Sequence, residues 1–362
     1  MFKFIHGADF HLDSAFGALT AQQSAARRRE SRELVFRLAN YVNTHGISLV
    51  LLAGDLLDGT SVFRETGEQL ADALGRMEAP VCIAPGNHDW YGSGSVWETV
   101  DWPENVHIFK KNAMTTLELP ELGAVIHGAA FTAPEQAVSL LAGFAAPKDG
   151  KIHLGLLHGD TGSRYDPLRR EEIAASGLAY LALGHVHKRI EPETAGRTLW
   201  AWPGCLEGRG FDELGEKGFY EGTVSDEGTV SVQFVPFARH RYEILKVDVT
   251  GRNPRSAVEA ALPEETAGDL YRILLPGEAG EQGADTAAIR EALADRFYAL
   301  EVRDHTRMAQ DVWARAGEDS LRGLFLRELR TKLQSAGTEE ERQTVTRAAR
   351  FGLAALDHRD LE

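Results

Sequence analysis

A chain of 362 residues, 43% hydrophobic and 26% charged, exceeds what one ordinary core organises, and its composition excludes a low-complexity or fibrous protein. The expected arrangement is one large domain with a smaller one. A net charge of −15 argues against a general electrostatic grip on nucleic acid, while leaving room for local basic strips and for cations that neutralise phosphate.

The first apolar run, FKFI, reads as a strand and ends just before Asp9-Phe10-His11. Residues 21–43 place Leu34, Leu38 and Val42 at helical spacing, with Arg27, Arg28, Arg29 and Arg32 alongside, which predicts an amphipathic helix whose polar face begins basic. SLVLLA is a second strand ending at Gly54-Asp55. A helix over 63–77 follows, and APVCIA runs into Gly86-Asn87-His88-Asp89. Alternation of strand and helix implies parallel pairing with right-handed crossovers. Beyond Trp102 the elements shorten: VHIF, AMTTLEL and AVIHGAAF as strands, then a helix over 134–144. IHLGLL leads into His158-Gly159-Asp160, and AYLAL into Gly184-His185-Val186-His187. Strands and hairpins from Thr198 close a first domain over 1–239. An α+β capping domain spans 240–310, and 311–362 is a helical segment of two amphipathic helices. In this segment TEEE carries a capping signature, and Leu324, Phe325, Glu328 and Leu329 define one side. The expected fold class is α/β, with a two-sheet β-sandwich core flanked by helices.

Only Cys82 and Cys205 are present, each near an apolar or aromatic run, so buried free thiols in a reducing compartment are expected. The apolar stretch at the N-terminus is too short for a signal peptide, and no run approaches the roughly 18 residues of a membrane span. A cytoplasmic location is the expectation.

Five polar blocks at strand ends carry the chemistry, because in open α/β sheets strand ends bring residues distant in sequence to one edge. Carboxylate, imidazole and one amide suit manganese, iron(II) or zinc. Two-metal hydrolysis of a phosphodiester needs ions about 3.5–4 Å apart with a bridging ligand. Asp55 is the natural bridge. Asp9, His11 and His187 would complete one shell, and Asn87, His158 and His185 the other. In Asp9-Phe10-His11 and His185-Val186-His187 the ligands are two apart, so an extended backbone would point both to one face, with Phe10 and Val186 toward the core. Gly54, Gly86 and Gly184 precede ligands where backbone must pass closely. His88 is the candidate for chemistry, protonating the leaving oxygen, with Asp89 orienting its ring. His6, His45, His107, His127, His153, His240, His305 and His358 lack this context and read as structural or exposed.

The ordered set resembles the calcineurin-like metallophosphoesterase superfamily over residues 1–240. GADFHLDSAF, LLAGDLLDG, IAPGNHDWY, LALGHVHKR and WPGCLEGRGFDELGEKGF resemble its SbcD/YhaO-like DNA repair exonuclease group. The resemblance implies a metallophosphoesterase fold and two divalent ions, manganese foremost. It implies exonuclease and endonuclease cleavage of DNA, a homodimer for which the helix over 63–77 is one candidate face, and a coiled-coil ATPase partner of the SbcC/YhaN type held by the C-terminal helices. Some relatives carry histidine where this chain has Asp58, and an acidic residue where Ala179 precedes Tyr180.

Arg27, Arg28, Arg29, Arg164, Lys188 and Arg209 are candidate phosphate contacts, and Tyr165 and Trp90 candidate stacking platforms. The alternatives are a phosphodiesterase or phosphatase acting on small nucleotides or phosphoproteins, and a scaffold that holds metal but mainly docks DNA or an ATPase.

Overall fold

The computed structural model describes all residues except 18, 60, 61, 163, 280–282, 309–312 and 357–362, so His358 and the last residues of the final predicted helix lie outside the described residues. The chain divides into two compact units. One comprises Met1–Leu245, Pro263–Ile273 and Ala292–Glu301; the other comprises Lys246–Leu262, Leu274–Glu291 and Val302–Glu362.

The elements of the first 240 residues are β1 (Phe2–Gly7), α1 (Ala21–Thr44), β2 (Leu49–Leu52), α2 (Arg64–Gly75), β3 (Val81–Ile83), α3 (Val96–Thr99), β4 (Val106–Ile108), β5 (Thr115–Leu119) and β6 (Ala124–Gly128). They continue with β7 (Ile152–His158), α4 (Arg170–Ala175), β8 (Tyr180–Gly184), β9 (Ile190–Ala195), β10 (Thr198–Trp202), β11 (Gly218–Val224) and β12 (Val230–Pro236). Two six-stranded sheets result, ordered β12-β11-β1-β2-β3-β4 and β5-β6-β7-β8-β10-β9. The predicted parallel run is present, since β1, β2, β3 and β4 pair in parallel, as do β6, β7 and β8.

Period-two alternation explains why these strands read as continuous apolar runs: both faces are buried. Phe4, Leu49, Leu51 and Cys82 point between the sheets and meet Ile126, Leu154, Leu156 and Tyr180. Ile5, Val50, Leu52, Val81 and Ile83 point outward and are covered by Leu34, Leu38 and Val42 of α1 and Leu70 and Leu74 of α2. Each such fully buried leucine contributes about 2 kcal/mol of transfer free energy. Helix α1 starts with a capping box in which Thr20 and Gln23 satisfy each other's backbone N–H groups. Both cysteines are free and buried, as expected.

Residues 134–144 form bends, an isolated bridge at Gln136 and a turn over 140–143, not the predicted helix. Tertiary bonds hold them open: the Leu140 N–H donates to Asp166 Oδ1 at 2.6 Å, the Asp166 N–H to the Gln136 carbonyl at 2.7 Å, and the Gln136 N–H to the Arg164 carbonyl at 3.0 Å. Arg27 is also corrected. It is fully buried and paired with Glu207 and Glu30 at 3.1 Å, so it cannot meet phosphate, whereas Arg29 on the same helix is exposed.

His6 is structural, as read. Its Nε2–H donates to the Leu183 carbonyl at 3.0 Å and its Nδ1 accepts from the Tyr180 hydroxyl at 2.8 Å. Burial pushes its pKa down to about 3, with the Leu183 carbonyl opposing. The unfolded chain therefore binds this proton first, and the stability due to neutral His6 is complete above about pH 6.5 and lost as the pH falls toward 3. A His6→Gln variant is expected to lose unfolding free energy less steeply between pH 6 and 4, by up to about 1.4 kcal/mol per pH unit. Urea unfolding across pH measures it, and parallel slopes would remove His6 as a source of acid sensitivity.

The later part of the chain contains β13 (Tyr242–Lys246), α5 (Pro254–Ala261), β14 (Leu270–Ala279), α6 (Thr286–Leu293) and β15 (Ala299–Met308), with the strands ordered β13-β14-β15. Then come α7 (Leu321–Ser335) and α8 (Glu339–Leu356). The predicted cap before α8 forms: the Glu341 N–H donates to Thr338 Oγ1, and the Thr338 N–H to the Glu341 carboxylate, each at 3.2 Å. Phe325, Leu326 and Leu329 pack with Ala349 and Leu353. Leu324 departs from the expected face, being 59% exposed. No helix among the described residues is long and apolar enough to cross a membrane.

Candidate metal centre

All five blocks converge at the C-terminal ends of β1, β2, β3, β7 and β8. Two clusters of the expected ligands result. Asp9, His11 and His187 form one, and Asp55, His158 and His185 the other, each with ligand atoms within 4.8 Å of one another. His11 also groups with Asp58 and His88 on the side toward the rim. Asn87 joins the second cluster, its Oδ1 lying 2.9 Å from His158 Nε2 and 3.0 Å from His185 Nδ1. His11 Nε2 and His187 Nε2 face each other at 3.0 Å.

Asp55 lies between the clusters. Its Oδ2 is 3.4 Å from His158 Nε2 and 3.8 Å from His11 Nε2, and this buried oxygen makes no hydrogen bond of good geometry. A buried carboxylate oxygen that faces two imidazoles, one of them cationic, without a hydrogen bond of good geometry is a place where a bound cation is favourable. The donor set therefore fits a pair of divalent cations.

The extended backbone expected in the D-x-H and H-x-H blocks is not what aims the ligands. Asp9 (φ 56°), His11 (φ 43°), Asp55 (φ 51°) and His185 (φ 92°) are left-handed, a conformation that costs roughly 1–2 kcal/mol for a side-chain-bearing residue. Backbone bonds between neighbouring loops hold it: the Asp9 N–H donates to the Gly54 carbonyl at 3.0 Å and the His11 N–H to the Asp55 carbonyl at 2.9 Å. The intervening side chains still face inward, Phe10 within one apolar cluster and Val186 against another. Close backbone passage is evident at all three predicted glycines, and a Cβ on Gly54 would lie 2.8 Å from the Ala84 carbonyl oxygen. A Cβ on Gly86 would lie 2.2 Å from Asp55 Oδ1, and one on Gly184 would lie 1.8 Å from the Ala53 carbonyl.

Asp89 does not orient His88. It is buried, and its carboxylate accepts from the N–H groups of Gly86 at 2.7 Å, Leu56 at 2.8 Å, and Asp55 and Leu57 at 3.2 Å, which locks the turn that presents Asp55. Burial and the Asp55 charge push its pKa up to about 7. The carboxylate beside His88 is instead Asp58, 3.6 Å from its Nδ1. His88 is exposed at the rim, its ring edge-on to His11 at 4.9 Å, while its N–H donates to Asp55 Oδ1 at 2.8 Å.

Charge in the cluster follows from burial and pairing. Burial opposes ionisation of Asp55, yet His158 and His11 outweigh it and hold the carboxyl well below the usual range. His158 is the counterpart: burial lowers it, but Asp55 and Asp9 carry its pKa up to about 9. Burial pushes His185 down to about 4, aided by the His158 charge. A cation held by the second cluster would take the place of the proton on His158.

Three contributors escaped the sequence reading. Asp58 Oδ1 is 3.0 Å from His11 Nδ1, and Glu213 Oε1 is 2.7 Å from His187 Nδ1. Trp202 Nε1–H donates to the carbonyls of Gly159 at 2.9 Å and Gly184 at 3.0 Å, pinning the loops after β7 and β8. Glu213 opens ELGEKGF, part of the stretch that carries the resemblance, and an acid beside a glycine-containing turn is its only signal in the sequence. Of the proposed substrate contacts, Tyr165 lies against the His185 ring at 4.8 Å, Arg164 sits over the Tyr165 ring at 5.7 Å, and Lys188 is exposed beside His187. Arg209 instead turns inward to Glu213 at 2.8 Å and Asp58 at 3.4 Å. Trp90 is half-buried.

A two-sheet α/β sandwich with carboxylate, imidazole and amide ligands at its strand ends defines a metal-dependent phosphoesterase, and the chain belongs to the calcineurin-like phosphoesterase family, matched over residues 2–189. It is 32% identical over 303 residues to the uncharacterized metallophosphoesterase YhaO of Bacillus subtilis strain 168, covering 77% of this chain and 72% of that protein. Among solved structures, TT1561 of Thermus thermophilus is a partial likeness, with a TM-score of 0.40 and 11% identity over 64% of this chain and 98% of that one.

Proposed function

We propose that this phosphoesterase is a DNA nuclease of the SbcD/YhaO-like repair group, an exonuclease with endonuclease activity. Asp9, His11 and His187 would hold one divalent cation, Asn87, His158 and His185 a second, and Asp55 both. The observation that carries the dimetal reading is Asp55 Oδ2, buried, without a hydrogen bond of good geometry and within 3.8 Å of an imidazole from each cluster. Bound cations, manganese foremost, supply positive charge against a phosphate and make water more acidic. The chain's own groups do the rest. His88 holds a proton at the rim for the leaving oxygen, Asp89 keeps the Asp55 turn rigid, and Arg164, Tyr165 and Lys188 line the approach with charge and an aromatic face.

The DNA assignment is supported by the motif set ending in WPGCLEGRGFDELGEKGF. The test is an assay in manganese of linear duplex DNA, bis-p-nitrophenyl phosphate and cyclic nucleotides side by side. Degradation of the duplex is expected; turnover confined to the small substrates would replace the nuclease reading with that of a small-molecule phosphodiesterase. With this reading go a coiled-coil ATPase of the SbcC/YhaN type and a second copy of the chain as partners. Exposed Leu321, Leu324 and Phe351 on α7 and α8 and exposed Phe63 before α2 suit such surfaces.

A further inference from the structure

We infer that Asp58, Arg209 and Glu213 form a brace of carboxylate, guanidinium and carboxylate that sets how tightly one of the two cation positions, the His11–His187 side, holds its ion; this rests on the dimetal reading above. Each carboxylate takes the Nδ1 of one histidine, Asp58 at 3.0 Å from His11 and Glu213 at 2.7 Å from His187. A neutral histidine that donates Nδ1–H to a carboxylate presents Nε2 as a lone pair, and the two Nε2 atoms are those that converge at 3.0 Å.

Arg209 joins the two acids. Its Nη2 is 2.8 Å from Glu213 Oε1, and its backbone N–H donates to Glu213 Oε2 at 2.8 Å. Its Nη1 lies 3.4 Å from Asp58 Oδ1 and 3.3 Å from Ser14 Oγ, and the Ser14 hydroxyl donates to Asp58 Oδ2 at 2.9 Å. Lys217 adds a bond from Nζ to the His187 carbonyl at 3.2 Å. The EGR and ELGEKGF segments thus wrap one histidine: Arg209, Glu213 and Lys217 all touch His187.

The other cluster is built differently. His158 gives its Nδ1 to the neutral Ala53 carbonyl at 2.8 Å, and His185 turns Nδ1 inward to Asn87, with its Nε2 3.7 Å from Asp160. Carboxylates within hydrogen-bond distance behind the imidazoles are therefore found on the His11–His187 side, whereas Asp160 stands farther off at 3.7 Å. An anionic acceptor raises the basicity of the ligand it holds and narrows its orientation, and loss of such a partner typically weakens a metal by about 10- to 100-fold. Asp58, Arg209 and Glu213 are positioning residues in this account, and none needs to touch substrate.

The test is manganese binding to the full chain without substrate, by calorimetric titration and metal content after gel filtration. Glu213→Ala is expected to weaken one ion by about 10- to 100-fold and leave the other unchanged. Glu213→Gln, which keeps an acceptor without its charge, should fall between, and carries the test with Arg209→Lys if the alanine variant does not fold. A downfield Nδ1–H proton resonance of His187 is expected in the wild type and should shift in both Glu213 variants. Unchanged affinity for both ions, or equal weakening of both, would overturn the brace. A wild-type chain that binds no divalent cation would instead remove the dimetal reading itself.

Discussion

Asp55→Asn is expected to bind fewer than two manganese ions per chain and to lose hydrolysis by about 10³-fold or more, roughly 4 kcal/mol of activation free energy. The substitution is nearly isosteric, so the effect isolates the charge of one oxygen. Asp55 Oδ1 keeps a structural partner in the His88 N–H at 2.8 Å, whereas Oδ2 faces His158 and His11 without a donor of good geometry. An amide in this place offers one neutral oxygen and a donor nitrogen, which cannot satisfy two cations. Because an ion that binds only the folded state stabilises it by mass action, manganese should also raise the melting temperature of the variant less than that of the wild type. Metal content together with melting curves checks both statements. Two ions bound with unaltered affinity would refute the bridging role.

His88→Ala should behave in the opposite way, retaining both ions while losing turnover on DNA by about 10² or more. The ring lies at the rim, edge-on to His11, outside both the Asp9–His11–His187 and the Asp55–His158–His185 clusters, and the backbone bond from its N–H to Asp55 survives truncation. If the imidazole delivers a proton to the leaving oxygen, the loss depends on the leaving group. A p-nitrophenolate needs no proton to depart near neutral pH, so bis-p-nitrophenyl phosphate should suffer much less than DNA. An equal loss on both substrates would leave His88 a charge-stabilising role and exclude the acid; full nuclease activity would remove it from the reaction.

These two residues differ in how far the sequence disclosed them. Asp55 could be read from a Gly-Asp pair behind an apolar run, because buried parallel strands announce themselves by continuous hydrophobicity and ligands collect where they end. His88 could be separated from the ligands by its place after Asn87, but its neighbour could not be identified. Adjacency suggested Asp89. The folded chain turns Asp89 under the loop to accept four backbone N–H groups and brings Asp58, thirty residues earlier in the chain, to the imidazole instead. Local pattern failed in the same way at 134–144, where a helical spacing lost to bonds with Arg164 and Asp166. It also failed at Asp9 and His11, whose aim comes from left-handed backbone rather than strand alternation.

The sequence by itself determined the two-sheet α/β framework, the order of the polar blocks and the identity of the residues that meet there, because periodic burial and residue chemistry are properties of short segments. Tertiary structure alone decided which group touches which. It converted Arg209 from a candidate substrate contact into the link between half-buried Asp58 and buried Glu213, and it assigned these two acids to the back of His11 and His187. Such pairings join residues up to 151 positions apart, and hydrogen-bond geometry over that separation is fixed by packing, to which no local pattern in the chain is sensitive.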